Sequence, residues 1–110
     1  MLGQREGARV GATTQHFGAT LALAGDPHLT DAQMLSLAVH REPSVRAAVA
    51  RRADCPASAL VSLGHDYRPE VLLALIGNPR TPSSVVRNLA DHEAQLVATA
   101  AEERLRGIVR

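Results

Sequence analysis

The sequence predicts an all-α solenoid of about three 26-residue helical pairs, with a partial unit at the C-terminal end. Three observations carry that expectation. Val45-Arg46-Ala47-Ala48-Val49-Ala50 returns as Val71-Leu72-Leu73-Ala74-Leu75-Ile76, and Cys55-Pro56-Ala57-Ser58 returns as Thr81-Pro82-Ser83-Ser84, both at a shift of 26. The columns of that register also agree: positions 34, 60 and 86 read Met, Leu, Val; positions 37, 63 and 89 are all Leu; positions 38, 64 and 90 are Ala, Gly, Ala. A fixed period of this length is the mark of stacked supersecondary units, each too small to bury its own apolar face. Finally, the chain is 45% apolar but only 2% aromatic. Alanine, leucine and valine must therefore fill the core, which suits closely packed helices better than sheets.

Each element follows from local signals. Residues 1–16 carry three glycines, mixed charges and no helical period, and read as a flexible tail; Val10 and Phe17 are placed to fold back over the first repeat. The repeat domain spans 17–105, and 106–110 form a short C-terminal tail. Ala19, Leu21, Ala22 and Leu23 make a first short helix, stopped at Gly25-Asp26-Pro27 by a C-cap glycine with proline beyond it. Thr30 with Gln33 forms a capping box that opens a helix with Met34, Leu37 and Ala38 on one face. Pro43 suits the first turn of the next helix, where its missing N–H costs nothing. Val45, Ala48 and Val49 face inward there, Arg46 faces out, and Arg51-Arg52 complement the helix dipole. Cys55-Pro56 starts a helix with Leu60 and Leu63 inward and Gly64 at its end. Asp66 then caps a helix whose inward set is Val71, Ala74 and Leu75, and Gly77-Asn78-Pro79 ends it. Thr81-Pro82 caps and starts the helix of Val86 and Leu89, and Asp91 caps a last helix through Val97, Ala100 and Ala101.

The phrases Val45-Arg46-Ala47-Ala48-Val49-Ala50, Asn78-Pro79-Arg80-Thr81-Pro82 and Leu89-Ala90-Asp91 resemble the leucine-rich repeat variant family. Repeats of that family read approximately VRxAVAxNPxTPxxxLxxLAxD, and the resemblance covers about residues 19–101. It implies a right-handed superhelix of alternating helices, some of them short or 3₁₀ in character. The chain departs from the pattern twice. Arg52-Ala53-Asp54 stand where the Asn-Pro turn is expected, which predicts a looser turn or a longer helix. Thr20-Leu21 replace the Val-Arg pair, as in a degenerate capping repeat. Some members carry a cysteine-rich iron–sulfur segment, which a chain with Cys55 as its one cysteine cannot build. The family has no common activity.

Composition narrows the function classes. A net charge of +1 provides no global field for nucleic acid or anionic membrane. All twelve basic residues are arginine, which matches the codon bias of a high-GC, bacterial-type genome. One cysteine excludes an internal disulfide. No stretch approaches the ~20 apolar residues of a membrane span, and the first residues lack a signal peptide's apolar run, so the expected location is cytoplasmic. His40, Asp66 and His92 share one column, with His65 and Asp91 in the column before it. Successive layers lie on the order of 10 Å apart, too far for one zinc ion with ligands at ~2 Å. Neither metal nor cofactor is expected. No G-x-S-x-G elbow or phosphate loop is present, and Glu102-Glu103 are the one pair of adjacent carboxylates. The chain does not read as an enzyme.

What remains is binding. The third repeat's first helix is apolar nearly all round, leaving Leu72 and Ile76 at columns where the second repeat has Arg46 and Ala50. An apolar pair at a solvent-facing column predicts a covered patch. The expected function is therefore a non-catalytic protein-interaction module, an adaptor or small scaffold, using Leu72 and Ile76 with Arg46 and Arg80 at the rim, toward a protein partner or a second copy. The alternative is a nucleic-acid binder using Arg46, Arg51, Arg52, Arg80 and Arg87, although no aromatics are interleaved for base stacking.

Overall fold

The computed structural model describes residues 20–107. Every regular element among them is helical. The described part of α1 covers residues 20–24, followed by α2 (Asp31–Leu37), α3 (Pro43–Ala50), α4 (Ala57–Leu63), α5 (Pro69–Gly77), α6 (Ser83–Leu89) and α7 (Gln95–Leu105). The 26-residue shift is exact at the even-numbered helices: α2, α4 and α6 begin and end on the same columns. The odd-numbered helices α3, α5 and α7 also begin on one column but end differently, at Ala50, Gly77 and Leu105. The expected tail over residues 1–16, with Val10 and Phe17, lies outside the described residues.

Helices of seven or eight residues do not persist alone in water; these are held by caps and by their neighbours. Thr30 and Gln33 form the expected capping box, with Thr30 Oγ1 accepting the Gln33 N–H at 3.1 Å and Gln33 Oε1 accepting the Thr30 N–H at 2.8 Å. Prolines occupy the first helical positions of α3 and α5. Ahead of α3, α5 and α7 a single column performs one task. His40 Nδ1, Asp66 Oδ1 and His92 Nδ1 each accept the N–H two residues on, at 3.1, 2.9 and 3.0 Å. An imidazole nitrogen thus replaces a carboxylate in the same turn. This corrects the expectations for Asp66 and Asp91 as helix caps: the N-caps of α5 and α7 are Arg68 and Ala94, and Asp66 and His92 instead hold the turn that leads into each.

Packing places α5 between α3 and α7, with α4 also against it. Leu37, Leu63 and Leu89 are all buried, as are Met34, Leu60 and Val86. The small-residue column matters where α4 meets α6: a Cβ on Gly64 would stand 2.8 Å from Val85 Cγ1 and 3.1 Å from the Val61 carbonyl. Cys55 is fully buried beside this core.

The layers are also tied by a ladder of side chains reaching back one repeat. Arg52 Nη1 donates to the Ala24 carbonyl at 2.7 Å. Asn78 Nδ2 donates to the carbonyls of Ala50 (2.7 Å) and Arg52 (2.8 Å). Arg104 Nη1 donates to those of Ile76 (2.7 Å) and Asn78 (2.6 Å). Positions 52, 78 and 104 are one column, and the acceptors at 24, 50 and 76 are another. The carbonyls at a helix C-terminus have no intrahelical partner, so each layer satisfies those of the layer before it. The turn at Arg52-Ala53-Asp54 is therefore neither looser nor a helix extension: α3 ends at Ala50, and Arg52 fills the asparagine's place. Thr81 is likewise not an N-cap for α6. It is buried, and its hydroxyl donates back to the Leu75 carbonyl at 2.7 Å.

Candidate interaction surface

The structure moves most of the expected surface inward. Leu72 is 0% and Ile76 5% exposed. The reason is the position of α5, which is lined by α3 on one side and α7 on the other and so needs apolar residues on more than one face. Arg46, assigned to the rim because it is charged, is 7% exposed. Its Nε donates to Asp66 Oδ2 at 2.6 Å and its Nη2 to Asp66 Oδ1 at 3.2 Å, a bidentate pair. Its Nη1 donates to the carbonyls of His40 at 2.7 Å and Arg41 at 3.1 Å. The guanidinium lies 5.8 Å from the ring centroid of Tyr67, whose own surface is largely exposed. The hydrogen bond that Arg46 donates to Asp66, with the carboxylate's charge, holds the guanidinium pKa above the ordinary value. Arg46 thus pins the start of α3 to the turn before α5, and Arg80 is the one exposed member of the expected set.

The five arginines of the nucleic-acid alternative do not form one ridge. Arg46 is committed as described, and Arg52 is divided between the Ala24 carbonyl and Asp54, at 2.8 and 2.9 Å. Arg51, Arg80 and Arg87 remain exposed. Tyr67 is the one large aromatic at the surface among the described residues. His40, Asp66 and His92 spend their ring or carboxylate acceptors on turns, and no three His, Cys, Asp or Glu side chains converge among the described residues. The Cys55 thiol is pushed up to about 11 by burial, with Asp54 nearby adding to the effect. A protonated, buried thiol is a poor nucleophile.

A surface that does open to solvent lies one residue along from the expected pair. Two depressions meet at Leu73, Gly77 and Pro79. One extends to Arg51 and Ala74, the other to Ile76, Ala100 and Glu103. Nothing stands within 4 Å of a Cβ built on Gly77, so the middle of this groove is open. The groove crosses the C-terminal ends of α3, α5 and α7, and the small side chains of Ala74 and Ala100 leave its floor unfilled. The sequence signal for it was the column of Arg51, Gly77 and Glu103, in which the middle layer lacks any side chain.

No curated protein and no solved structure matches the chain. No helix among the described residues is long and apolar enough to cross a membrane. The family model described as leucine rich repeat variant matches residues 43–66, which hold α3, α4 and the turn carrying Asp66, the same family that the sequence resembles.

Proposed function

We propose that this chain is a right-handed α-solenoid of about three 26-residue helical pairs with a partial fourth unit, and that it acts as a non-catalytic, cytoplasmic protein-interaction module, an adaptor or small scaffold. The observation that carries this reading is the open groove centred on Leu73, Gly77 and Pro79. It spans successive layers, as binding faces of helical-repeat proteins do, and joins an apolar floor to charged ends, the composition of a protein-binding patch. Of Arg46, Leu72, Ile76 and Arg80, Ile76 lines this groove and the other three do not.

The test is capture from nuclease-treated native extract by the immobilised chain and by its Leu73→Arg variant. The parent should retain a specific protein, the variant should lose it, and the helical signal in circular dichroism should be the same for both. Retention that needs intact nucleic acid and weakens steeply with salt would instead favour phosphate contacts by the exposed arginines. Equal capture by both chains would refute the groove as the binding surface.

A further inference from the structure

The column through the groove has an asymmetry that the apolar floor does not explain. Arg51 follows α3, Gly77 ends α5 and Glu103 lies in α7, each one period from the next. Both charged residues are exposed. The ion pairs among the described residues are Arg46–Asp66, Arg52–Asp54 and Arg68–Glu70, so neither Arg51 nor Glu103 is in one. With α5 packed between α3 and α7, the two charges stand two layers apart, on the order of 20 Å at ordinary interaxial spacing. The groove therefore runs from the unpaired Arg51, over a gap, to the unpaired Glu103, beside which the Arg104 guanidinium is turned onto the carbonyls of Ile76, Asn78, Pro79 and Thr81. Beside it runs an exposed apolar column of Ala53, Pro79 and Leu105.

We propose that the occupant of this groove is a second copy of the same chain, docked about a two-fold axis passing near Gly77. This rests on reading the groove as an interaction surface. A half-turn about that axis places Glu103 of one copy over Arg51 of the other and repeats the pair at the opposite end. It also lays Leu73 and Pro79 against their own counterparts. A two-fold contact must be self-complementary, since each residue meets its reciprocal. A row reading cation, gap, anion meets that requirement, whereas a row of one sign would repel itself. The missing side chain at Gly77 falls near the axis, where two copies of any larger residue would collide. An unrelated partner would have to present both opposite charges at the matching spacing; a second copy presents them by construction.

Analytical ultracentrifugation on the full chain and three variants tests this. The parent should show a dimer whose fraction rises with concentration. Arg51→Glu and Glu103→Arg should each sediment as monomers, because each sets like charges opposite one another at both ends. An equimolar mixture of these two variants should recover the dimer, now one of each chain, and the double variant R51E/E103R should recover it alone. Loss through misfolding would not be rescued by mixing, so the mixture separates interface from fold. A monomeric parent, or single variants that dimerise like the parent, would overturn the proposal. If the parent is monomeric yet still captures a protein through Leu73, the second copy is wrong and the interaction module stands. If the dimer forms but Leu73→Arg leaves both dimerisation and capture unchanged, the groove itself is wrong.

Discussion

Replacing Arg46 with leucine tests the central polar contact of the fold. In the parent, the Arg46 and Asp66 side chains are 8% and 7% exposed, and the guanidinium makes four hydrogen bonds. Arg46→Leu strips Asp66 of its cation and leaves it the Arg68 N–H as an acceptor contact. Breaking a buried pair from one side costs about 3–5 kcal/mol, because the remaining charge is uncompensated. That is a large share of the ~5–15 kcal/mol available to a small domain. The chain itself shows an alternative solution one repeat later: the columns of Arg46 and Asp66 carry Leu72 and His92. Transplanting it as the double variant R46L/D66H removes the orphaned charge. It also keeps an acceptor for the Arg68 N–H, as His92 Nδ1 does for Ala94. What stays lost is the donor to the His40 and Arg41 carbonyls, at about 1 kcal/mol each.

Urea denaturation followed by circular dichroism should therefore place Arg46→Leu about 3–5 kcal/mol below the parent and the double variant about 2 kcal/mol above the single one. Equal slopes would show that the comparison is one of stability rather than of denatured-state compactness. A single-variant loss under about 1 kcal/mol, the worth of an exposed pair, would refute the buried-pair reading. A double variant no more stable than the single one would refute the equivalence of the two columns.

Other consequences follow from burial and from the carbonyl ladder. Leu72→Arg should unfold the domain rather than create a soluble non-binder, since a wholly buried site offers no partner for the charge; a cooperative melt near that of the parent would contradict this. Asn78→Ala abandons the Ala50 and Arg52 carbonyls and the Arg80 N–H, and should cost about 2–4 kcal/mol, read from the denaturation midpoint. The Cys55 thiol, raised from 9.0 to about 11 in the folded state, contributes stability that is complete below pH 9 and is lost as pH rises toward 11, because only the unfolded thiol ionises there. The parent should thus lose roughly 3 kcal/mol more than Cys55→Ala over that interval, and a thiol reagent should label Cys55 at the unfolding rate.

The legibility of this fold in its sequence differed between the two helices of a repeat. The bounds of α2, α4 and α6 could be read from Thr30, Pro56 and Pro82 at one end and from Ala38, Gly64 and Ala90 at the other, all local signals. The starts of α3 and α5 were as clear, through Pro43 and Pro69. Their burial was not. The sequence places Leu72 and Ile76 at solvent because Arg46 shares a column with Leu72 and a charge ordinarily marks water. A charge marks solvent only where it has no partner, and the partner of Arg46 lies twenty positions away. The signal that could have revealed it is coordinated change between columns: Arg with Asp in one repeat, Leu with His in the next. The groove was missed for a related reason. An apolar helix draws attention to its leucines, while the opening is made by the absent side chain of Gly77.

The carbonyl ladder explains why the period persists where the residues do not. Arginine at 52 and 104 and asparagine at 78 share no shape, yet each supplies N–H donors at one height above the helix terminus of the preceding layer. Those acceptors are backbone atoms, so they do not vary with sequence, and any side chain of sufficient reach can serve. Asparagine is short and makes its contacts from the turn after α5. Arg104 lies within α7, which runs on through the position where α5 has its turn, and its longer side chain spans the added distance to four carbonyls, including those of Pro79 and Thr81. A longer helix and a longer donor are thus one adjustment. Apolar columns supply most of the burial but would tolerate sliding along a smooth face of alanine and valine. Directional bonds from one layer to the carbonyls of the one before it hold the layers in register, and it is this register that brings Arg51, Gly77 and Glu103 into one row.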